Sequence, residues 1–167
     1  MLANLPKNTN ELLNWDWPHV EPMARELAGR VLTAENAAEW LQDWSDLSAQ
    51  LMELYNRLYL ATAINTADAA TEKAYTHYIE QIFPASMALD QELKQKFLSS
   101  QLEPAGFAVA LRNMRAEVEL YRADNLSLLA EEQKLSNKFD KITGAQTVTW
   151  DGAECTCLLY TSPSPRD

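Results

Sequence analysis

The chain has 167 residues, and its 24 acidic and 14 basic side chains give a formal net charge of −10. This acidic balance argues against nucleic acid as the main partner, because phosphate contacts need clustered lysine and arginine. Hydrophobic residues make up 47% of the chain, enough to build a core, and four glycines are too few for a turn-rich all-β fold.

The sequence also lacks membrane and export signals. Its longest aliphatic run, residues 58–64, is far shorter than the ~20 residues that a membrane-spanning helix needs. The first ten residues have neither a basic start nor an apolar signal core. We therefore expect a cytoplasmic protein with no membrane partner.

Helical periodicity dominates the first half of the chain. Residues 20–31 predict a short helix that ends near Gly29. Thr33 is a candidate N-cap for a longer helix, with Glu35 placed favourably in its first turn. One apolar stripe, with steps of three and four residues, predicts that this helix runs to about Ile64. The stripe consists of Trp40, Trp44, Leu47, Leu51, Leu54 and Leu58.

The next helix is predicted to begin at the N-cap Asp68 and to continue across an interior proline, Pro84. An interior proline removes a backbone hydrogen bond and costs ~3 kcal/mol unless the helix bends, so we predict a kink there. The heptad-like stripe of this helix consists of Tyr75, Ile79, Ile82, Leu89, Leu93 and Phe97.

Two more helices follow, separated by a short interruption that Arg122, Asp124 and Asn125 are expected to cap or brace. Gly144 is the candidate residue that ends the second of them with a positive φ. The first helix carries Phe107, Leu111, Met114, Val118 and Tyr121, and the second carries Leu128, Leu135, Phe139 and Ile142.

Residues 147–156 change from the helical period to alternation. Asp151-Gly152 stands between two alternating segments, which is a strong signal for a two-residue β-hairpin. The predicted fold is therefore mainly α, a multi-helix bundle with a short C-terminal β-hairpin.

Recognisable catalytic motifs are absent from the sequence. It contains no G-x-x-x-x-G-K-[ST], G-x-G-x-x-G, G-x-S-x-G or H-E-x-x-H. His77 and Glu80 share a helical face, but an exposed or hydrogen-bonded pair is favoured over a metal site. Cys155 and Cys157 are too close for a relaxed disulfide, and two thiols cannot complete a tetrahedral zinc site. The sequence assigns no catalytic, cofactor-binding or metal-binding residue.

The tryptophans have two interpretations. Trp15 and Trp17 lie close together, and Trp40 and Trp44 lie one helical turn apart, so a peptide- or sugar-binding platform is conceivable. Core packing of bulky side chains is the favoured interpretation for these residues. Trp150 is expected to pack across the strands of the hairpin.

The order of residues over much of the chain resembles a known family. Residues 111–117 read Leu-Arg-Asn-Met-Arg-Ala-Glu, and residues 121–128 read Tyr-Arg-Ala-Asp-Asn-Leu-Ser-Leu. With residues 131–152, they resemble the N-terminal helical region of the oligoendopeptidase F family of zinc metallopeptidases. Residues 40–47 are similar to that family as well, and the whole resemblance covers residues 12–156.

The resemblance implies a function for a longer parent enzyme. In that family the N-terminal helices pack over one side of a deep channel, and the catalytic part follows much later. It carries H-E-x-x-H and a downstream glutamate, which together bind zinc. None of those residues occurs here, so zinc is implied only for the parent, and this chain is expected to bind none. The implied partners are an oligopeptide substrate of the full-length enzyme and the missing C-terminal catalytic domain.

The same resemblance predicts how the chain is organised. Residues 1–144 would be the N-terminal helical region, and residues 145–156 a hairpin leading toward the missing catalytic domain. Residues 157–167 are expected to be a non-native tail, because they back-translate to a sequence that resembles a transposase-based sequencing adapter. The genuine sequence would then be cut near Thr156, before the catalytic motif.

Two alternatives belong to other classes of function. The first is a free-standing acidic helical module that binds a partner protein through its tryptophan-bearing surface. The second is a di-metal carboxylate bundle, which the absence of E-x-x-H pairs weakens. A reading frame that continues past Thr156 into an H-E-x-x-H motif would favour the peptidase over the module.

Overall fold

The computed structural model describes Leu2 and residues 5–156, and it confirms the mainly helical bundle with a C-terminal hairpin. The predicted tail, residues 157–167, lies outside the described residues, and so does Cys157. The α-helices are α1 (Thr9–Leu13), α2 (Trp17–Gly29), α3 (Ala37–Ile64), α4 (Ala69–His77), α5 (Phe83–Ser99), α6 (Ala108–Leu120) and α7 (Leu126–Gly144). A π-helical turn (Tyr78–Ile82) joins α4 to α5, a 3₁₀ turn (Ala123–Asn125) precedes α7, and strands β1 (Thr147–Trp150) and β2 (Ala153–Thr156) close the chain. Within the described part of the chain, no helix combines the length and apolarity needed to cross a bilayer.

Helix α2 begins three residues earlier than predicted and ends at Gly29 as predicted. Its last carbonyl groups have no partners within the helix, as at every helix C-terminus. The indole Nε1 of Trp40 donates to the carbonyl oxygen of Leu27 at 2.9 Å, and Nζ of Lys96 donates to that of Ala28 at 2.5 Å. Side chains from α3 and α5 therefore close the end of α2.

The predicted N-cap of α3 is wrong. Asn36, rather than Thr33, precedes the first helical residue, Ala37. The side chain of Asn36 accepts the backbone N–H of Thr33 at 2.8 Å and donates to the carbonyl oxygen of Val31 at 2.9 Å. These two bonds hold the intervening residues in a turn, so the helix starts one turn later than the pattern indicated.

The irregularity predicted at Pro84 takes a different form. The N–H of Phe83 donates to the carbonyl oxygen of Tyr78, and this wider spacing defines the π turn just before the proline. Pro84 then occupies the first turn of α5, where its missing N–H is tolerated. A π turn followed by a new α-helix replaces the expected kink.

At the start of α4, the predicted cap is confirmed, because the carboxylate of Asp68 accepts the N–H of Ala70 at 2.9 Å.

The buried apolar side chains form two clusters that share helices. The tryptophan cluster contains Val20, Met23, Leu27, Trp40, Leu41, Trp44, Leu47, Leu89, Leu93, Phe97 and Leu111 with smaller neighbours. The tyrosine cluster contains Leu12, Leu54, Tyr75, Tyr78, Ile79, Ile82 and Ala130. Helix α3 contributes to both, and Leu51 packs against both. The stripes predicted on α3 and along residues 75–97 are therefore core stripes.

The hairpin matches its prediction, whereas the end of α7 does not. Asp151 and Gly152 have φ values of 49° and 78°, and Trp150 pairs with Ala153 across the turn. These positive φ values are those of a two-residue type I′ turn. Gly144 is the last residue of α7 and does not take a positive φ; the next residue, Ala145, caps the helix with a φ of −85°.

A buried ion pair ties α2 to α3. The side chain of Asp43 is 3% exposed, and its carboxylate accepts a hydrogen bond from Arg30 at 2.7 Å and another from the backbone N–H of Leu2 at 3.1 Å. Burial alone would raise the pKa of Asp43, but the guanidinium of Arg30 is among the groups that outweigh burial and lower it. The carboxylate is therefore charged across the neutral range.

The lowered pKa of Asp43 predicts a loss of stability in acid. A carboxyl whose pKa is lower in the folded state stabilises the fold above its unfolded pKa, and the contribution disappears as pH falls through the folded pKa. We expect the free energy of unfolding of the native chain to fall more steeply than that of Asp43→Asn between neutral pH and about pH 3. Urea unfolding at a series of pH values measures both slopes. Equal slopes would show that Asp43 does not carry this dependence.

Candidate functional site

A groove runs along the surface between α3, α5, α6 and α7. Three neighbouring cavities of about 370, 420 and 350 Å³ meet at Asp90, and together they form this groove. Its apolar lining comes mainly from Trp44, Leu51, Met52, Phe83, Met87 and Phe107. The groove is therefore an open recess with an apolar floor and a charged centre.

The charged centre is a lysine held between two carboxylates. Lys94 is ion-paired with Asp90 one turn earlier on α5, and its Nζ lies 2.7 Å from Oε2 of Glu117 on α6. Its side chain is only 17% exposed. Burial would lower the pKa of Lys94, but the hydrogen bonds to Asp90 and Glu117 more than compensate and raise it. Lys94 is therefore an ammonium at neutral pH, which suits it to joining α5 to α6 and not to accepting a proton.

Helix α7 docks on α3 through a polar seam. The hydroxyl of Tyr55 donates to Oε1 of Gln133 at 2.9 Å, and that of Tyr59 donates to Oδ2 of Asp140 at 2.8 Å. The bond to Asp140 is the main reason that the pKa of Tyr59 is raised. Further polar contacts of α7 are Asn137 to Thr62 at 2.7 Å, Lys134 to Glu80 at 3.1 Å, and Lys141 to Glu72 at 2.8 Å.

The large apolar side chains of α7 lie on its opposite face. Leu128, Leu135, Phe139 and Ile142 are each between 57% and 66% exposed. The stripe predicted on this helix is real, but it faces away from both clusters. We call it the outer face of α7, and it is an unusual surface because large apolar side chains normally face a core.

Both histidines converge on Asp16 at the start of α2. The backbone N–H of Asp16 donates to Nδ1 of His19 at 3.1 Å, and Nε2 of His77 lies 3.0 Å from its Oδ1. A hydrogen bond from the N–H of Trp17, followed by the contact with His77, lowers the pKa of Asp16. Glu80, the other residue of the pair considered from sequence, binds Lys134 instead. Sequence reasoning missed this cluster, since the two histidines lie far apart along the chain.

The described residues do not fit a catalytic zinc. Such a site takes three protein ligands, usually histidine, glutamate or cysteine, and keeps one open position. Within Leu2 and residues 5–156, no group of three or more histidine, cysteine, aspartate or glutamate side chains is arranged to hold a metal ion. Cys155 is a free cysteine in β2.

The tryptophans are divided between core and surface. Trp40 and Trp44 are 0% and 6% exposed, with ring centroids 5.5 Å apart, which confirms the core interpretation. Trp15 and Trp17 are partly buried and pack against both clusters. Trp150, expected to pack across the hairpin, is 61% exposed.

The turn before α7 is braced by an arginine, as predicted. The guanidinium of Arg122 donates to the carbonyl oxygens of Glu119 at 2.8 Å and Tyr121 at 2.7 Å. Asp124 and Asn125 lie in the 3₁₀ turn, and the side chain of Asn125 makes no capping hydrogen bond to α7. Arg122 also lines the groove, so the brace forms part of its wall.

Comparison with known proteins gives one match. The family model described as the Peptidase M3 N-terminal domain matches residues 13–121, which span α2 to α6 and most of the groove. No curated protein and no solved structure shows significant similarity to the chain.

Proposed function

The chain belongs to the Peptidase M3 N-terminal domain family, and from that premise we propose that it is the substrate-channel portion of a zinc-dependent oligoendopeptidase, truncated before the catalytic motif. The match over residues 13–121 is the observation that carries this proposal. It supports a peptidase-related N-terminal region, and the proposal adds the zinc dependence, the channel and the truncation.

The groove supports a role in bounding a channel. Its floor offers apolar contacts to peptide side chains, while Asp90 at its centre and Gln133 in its lining add polar groups. Lys94 holds α5 and α6 together beneath it, so the wall is fixed rather than assembled on binding. In this proposal the helices limit entry to short, extended peptides in the cytoplasm.

The chemistry would come from outside the described residues. A zinc ion in the parent enzyme would supply a metal-activated water for attack on the peptide carbonyl. The residues of this chain bind and orient at most, since the described part offers no zinc site. The assignment of residues 157–167 as a non-native tail stays a prediction.

We expect the purified 167-residue chain to hydrolyse no peptide, with or without added zinc. The reason is that a chain that only bounds the channel, without H-E-x-x-H, lacks both the metal ligands and the general base. The measurement is fluorescence from a short internally quenched peptide, with the product of the intact source locus as the positive control. Cleavage by the chain that a chelator abolishes and zinc restores would contradict the proposal.

The source locus offers a second, independent check of the truncation. We expect its reading frame to continue past Thr156 and to encode H-E-x-x-H further on. Ordinary coding sequence for residues 157–167 followed by a natural stop codon would contradict the truncation, whatever the peptidase assay shows.

A free-standing helical interaction module is the second candidate. Trp40 and Trp44 cannot contribute to the tryptophan-bearing surface first considered for it, because both are buried in the tryptophan cluster. The observation that favours this candidate is the exposed outer face of α7. The natural stop codon described above is the result that would favour it over a truncated peptidase.

A further inference from the structure

The buried side-chain amide of Gln91 on α5 has no partner within the described part of the chain. Gln91 is only 7% exposed, and its side chain forms no hydrogen bond with another described residue. The buried amide of Asn137, by contrast, donates to the hydroxyl of Thr62 at 2.7 Å. A buried amide without a hydrogen bond destabilises a fold, and native proteins seldom retain one without a reason. The amide of Gln91 therefore indicates a partner from outside the chain.

This amide reaches an open cavity. Gln91 lines the part of the groove with a volume of about 370 Å³, between α5, α6 and α7, which we call the Gln91 cavity. Among the described residues, no side-chain nitrogen or oxygen is both fully enclosed and without a hydrogen bond. The amide of Gln91 therefore has access to open space, and the cavity lies beside it. The volume of the cavity is at the small end of the ~300–1,000 Å³ of small-ligand sites, which suits a ligand of a few residues at most.

The walls of the Gln91 cavity carry charges of both signs. On one side, Asp90 and Glu117 flank the ammonium of Lys94, and two carboxylates against one ammonium leave a net charge of −1 there. On the turn between α6 and α7, Arg122 lines the cavity as well. Within the described residues, its guanidinium donates to neutral carbonyl groups and forms no ion pair. The cavity therefore suits a ligand with a cationic group at one end and an anionic group at the other.

A short peptide with free ends matches these features one by one. A carboxylate accepts several hydrogen bonds, so Asp90 and Glu117 still have acceptor positions for an ammonium group after binding Lys94. The amide of Gln91 offers a donor and an acceptor, which are the two groups that a peptide bond presents. The guanidinium of Arg122 offers its remaining donors to a carboxylate. Apolar side chains complete the lining, and they are Met87, Leu120, Leu126 and Leu129.

We propose that the Gln91 cavity binds a peptide of two or three residues whose two ends are charged and whose side chains are apolar. The amine lies beside Asp90 and Glu117. A peptide bond pairs with the amide of Gln91, and the carboxylate lies at Arg122. The choice of a peptide rests on the proposed function, because hydrolysis of short peptides releases still shorter ones with both ends free. In the parent enzyme the cavity would therefore hold a product.

NMR titration of the isotope-labelled 167-residue chain with leucyl-leucine tests both the binding and its place. The side-chain amide signals of Gln91 should shift and saturate. Those of Gln95 should not move, because Gln95 is exposed on the same helix and outside the lining of the cavity. N-acetyl-leucyl-leucine and leucyl-leucine amide each lack one charged end, and each should bind at least about tenfold more weakly. The absence of a saturable shift at Gln91, or equal binding of the blocked peptides, would overturn the proposal.

Replacing Gln91 with methionine distinguishes ligand binding from a structural role. Methionine is similar in length and has no amide, so Gln91→Met should weaken the binding of leucyl-leucine by about tenfold or more. Its midpoint of unfolding in urea should equal or exceed the native value, because the amide has no partner within the described chain to lose. Gln95→Met is the matched control and should keep both native values. Native binding by Gln91→Met, or a marked loss of its stability, would contradict the assignment.

The titration is independent of the tests of the proposed function, because it requires neither zinc nor the catalytic part of the parent enzyme. If leucyl-leucine does not bind, the binding site is wrong, and the reading frame of the source locus still decides the peptidase proposal. If leucyl-leucine binds at Gln91 but the locus has a natural stop codon, the site is supported and the peptidase proposal is contradicted.

Discussion

Replacing Trp40 with alanine is expected to remove about 3–5 kcal/mol from the free energy of unfolding, which is the usual cost of deleting a buried aromatic side chain. Trp40 is fully buried and lies between two other rings, with centroid distances of 5.5 Å to Trp44 and 5.4 Å to Phe97. It also supplies the indole N–H that closes the end of α2 at Leu27. Alanine would leave a cavity and a buried carbonyl group without a partner.

Urea unfolding followed by circular dichroism measures this loss. Trp40→Phe should cost less than Trp40→Ala, because it keeps one aromatic ring in the cluster and loses only the hydrogen bond and part of the indole volume. Leu60→Ala on the same helix is the surface control, with an expected change within about 0.5 kcal/mol. A Trp40→Ala variant as stable as the Leu60→Ala control would mean that the tryptophan cluster is not the main core.

The second large effect is expected from Arg30→Met, at about 3 kcal/mol of destabilisation. Arg30 is the cation beside the carboxylate of Asp43, which is only 3% exposed. Without Arg30 the buried carboxylate of Asp43 keeps the hydrogen bond from Leu2 but loses the guanidinium. Breaking a buried ion pair in this way costs several times more than the loss of a surface ion pair. The expected loss of stability is at the lower end of the usual range for breaking a buried ion pair, because Arg30 itself is 22% exposed.

Two variants distinguish the electrostatic cost of leaving the carboxylate of Asp43 without Arg30 from the cost of losing the packing of the Arg30 side chain. Arg25→Met removes a cation of the same kind whose side chain is 63% exposed, and it should change stability by less than about 0.5 kcal/mol. The double variant Arg30→Met/Asp43→Asn removes the charge as well and should be more stable than Arg30→Met alone. If the double variant is no better, the cost is not electrostatic.

Local signals in the sequence were sufficient for several elements. The Asp151-Gly152 turn and the cap at Asp68 were predictable because their geometry depends on neighbouring residues alone. The N-terminus of α3 was mispredicted for a similar local reason. Two residues with side chains of the capping type lie close together there, and Asn36 binds the preceding turn at Val31 and Thr33, so the helix begins after Asn36 and not after Thr33.

The groove and the orientation of α7 could not be predicted in this way. Periodicity places Leu135 and Phe139 on one face of a helix, but it does not say which face meets the bundle. That choice depends on Tyr55 and Tyr59, about 80 residues earlier, whose hydroxyls bind the polar side of α7. Lys94 and Glu117 likewise meet only after α5 and α6 have packed.

The π turn has a consequence for how the molecule divides into parts. It lies between two parts of one helical segment that contribute to different clusters: Tyr75 and Ile79 belong to the tyrosine cluster, and Leu93 and Phe97 belong to the tryptophan cluster. Two cores are thus built on the same pair of long helical segments, and each core has its own set of contacts. Trp15, Trp17 and Leu51 pack against both cores, but most buried side chains belong to one cluster only. We therefore expect local opening of one core to leave much of the other packed.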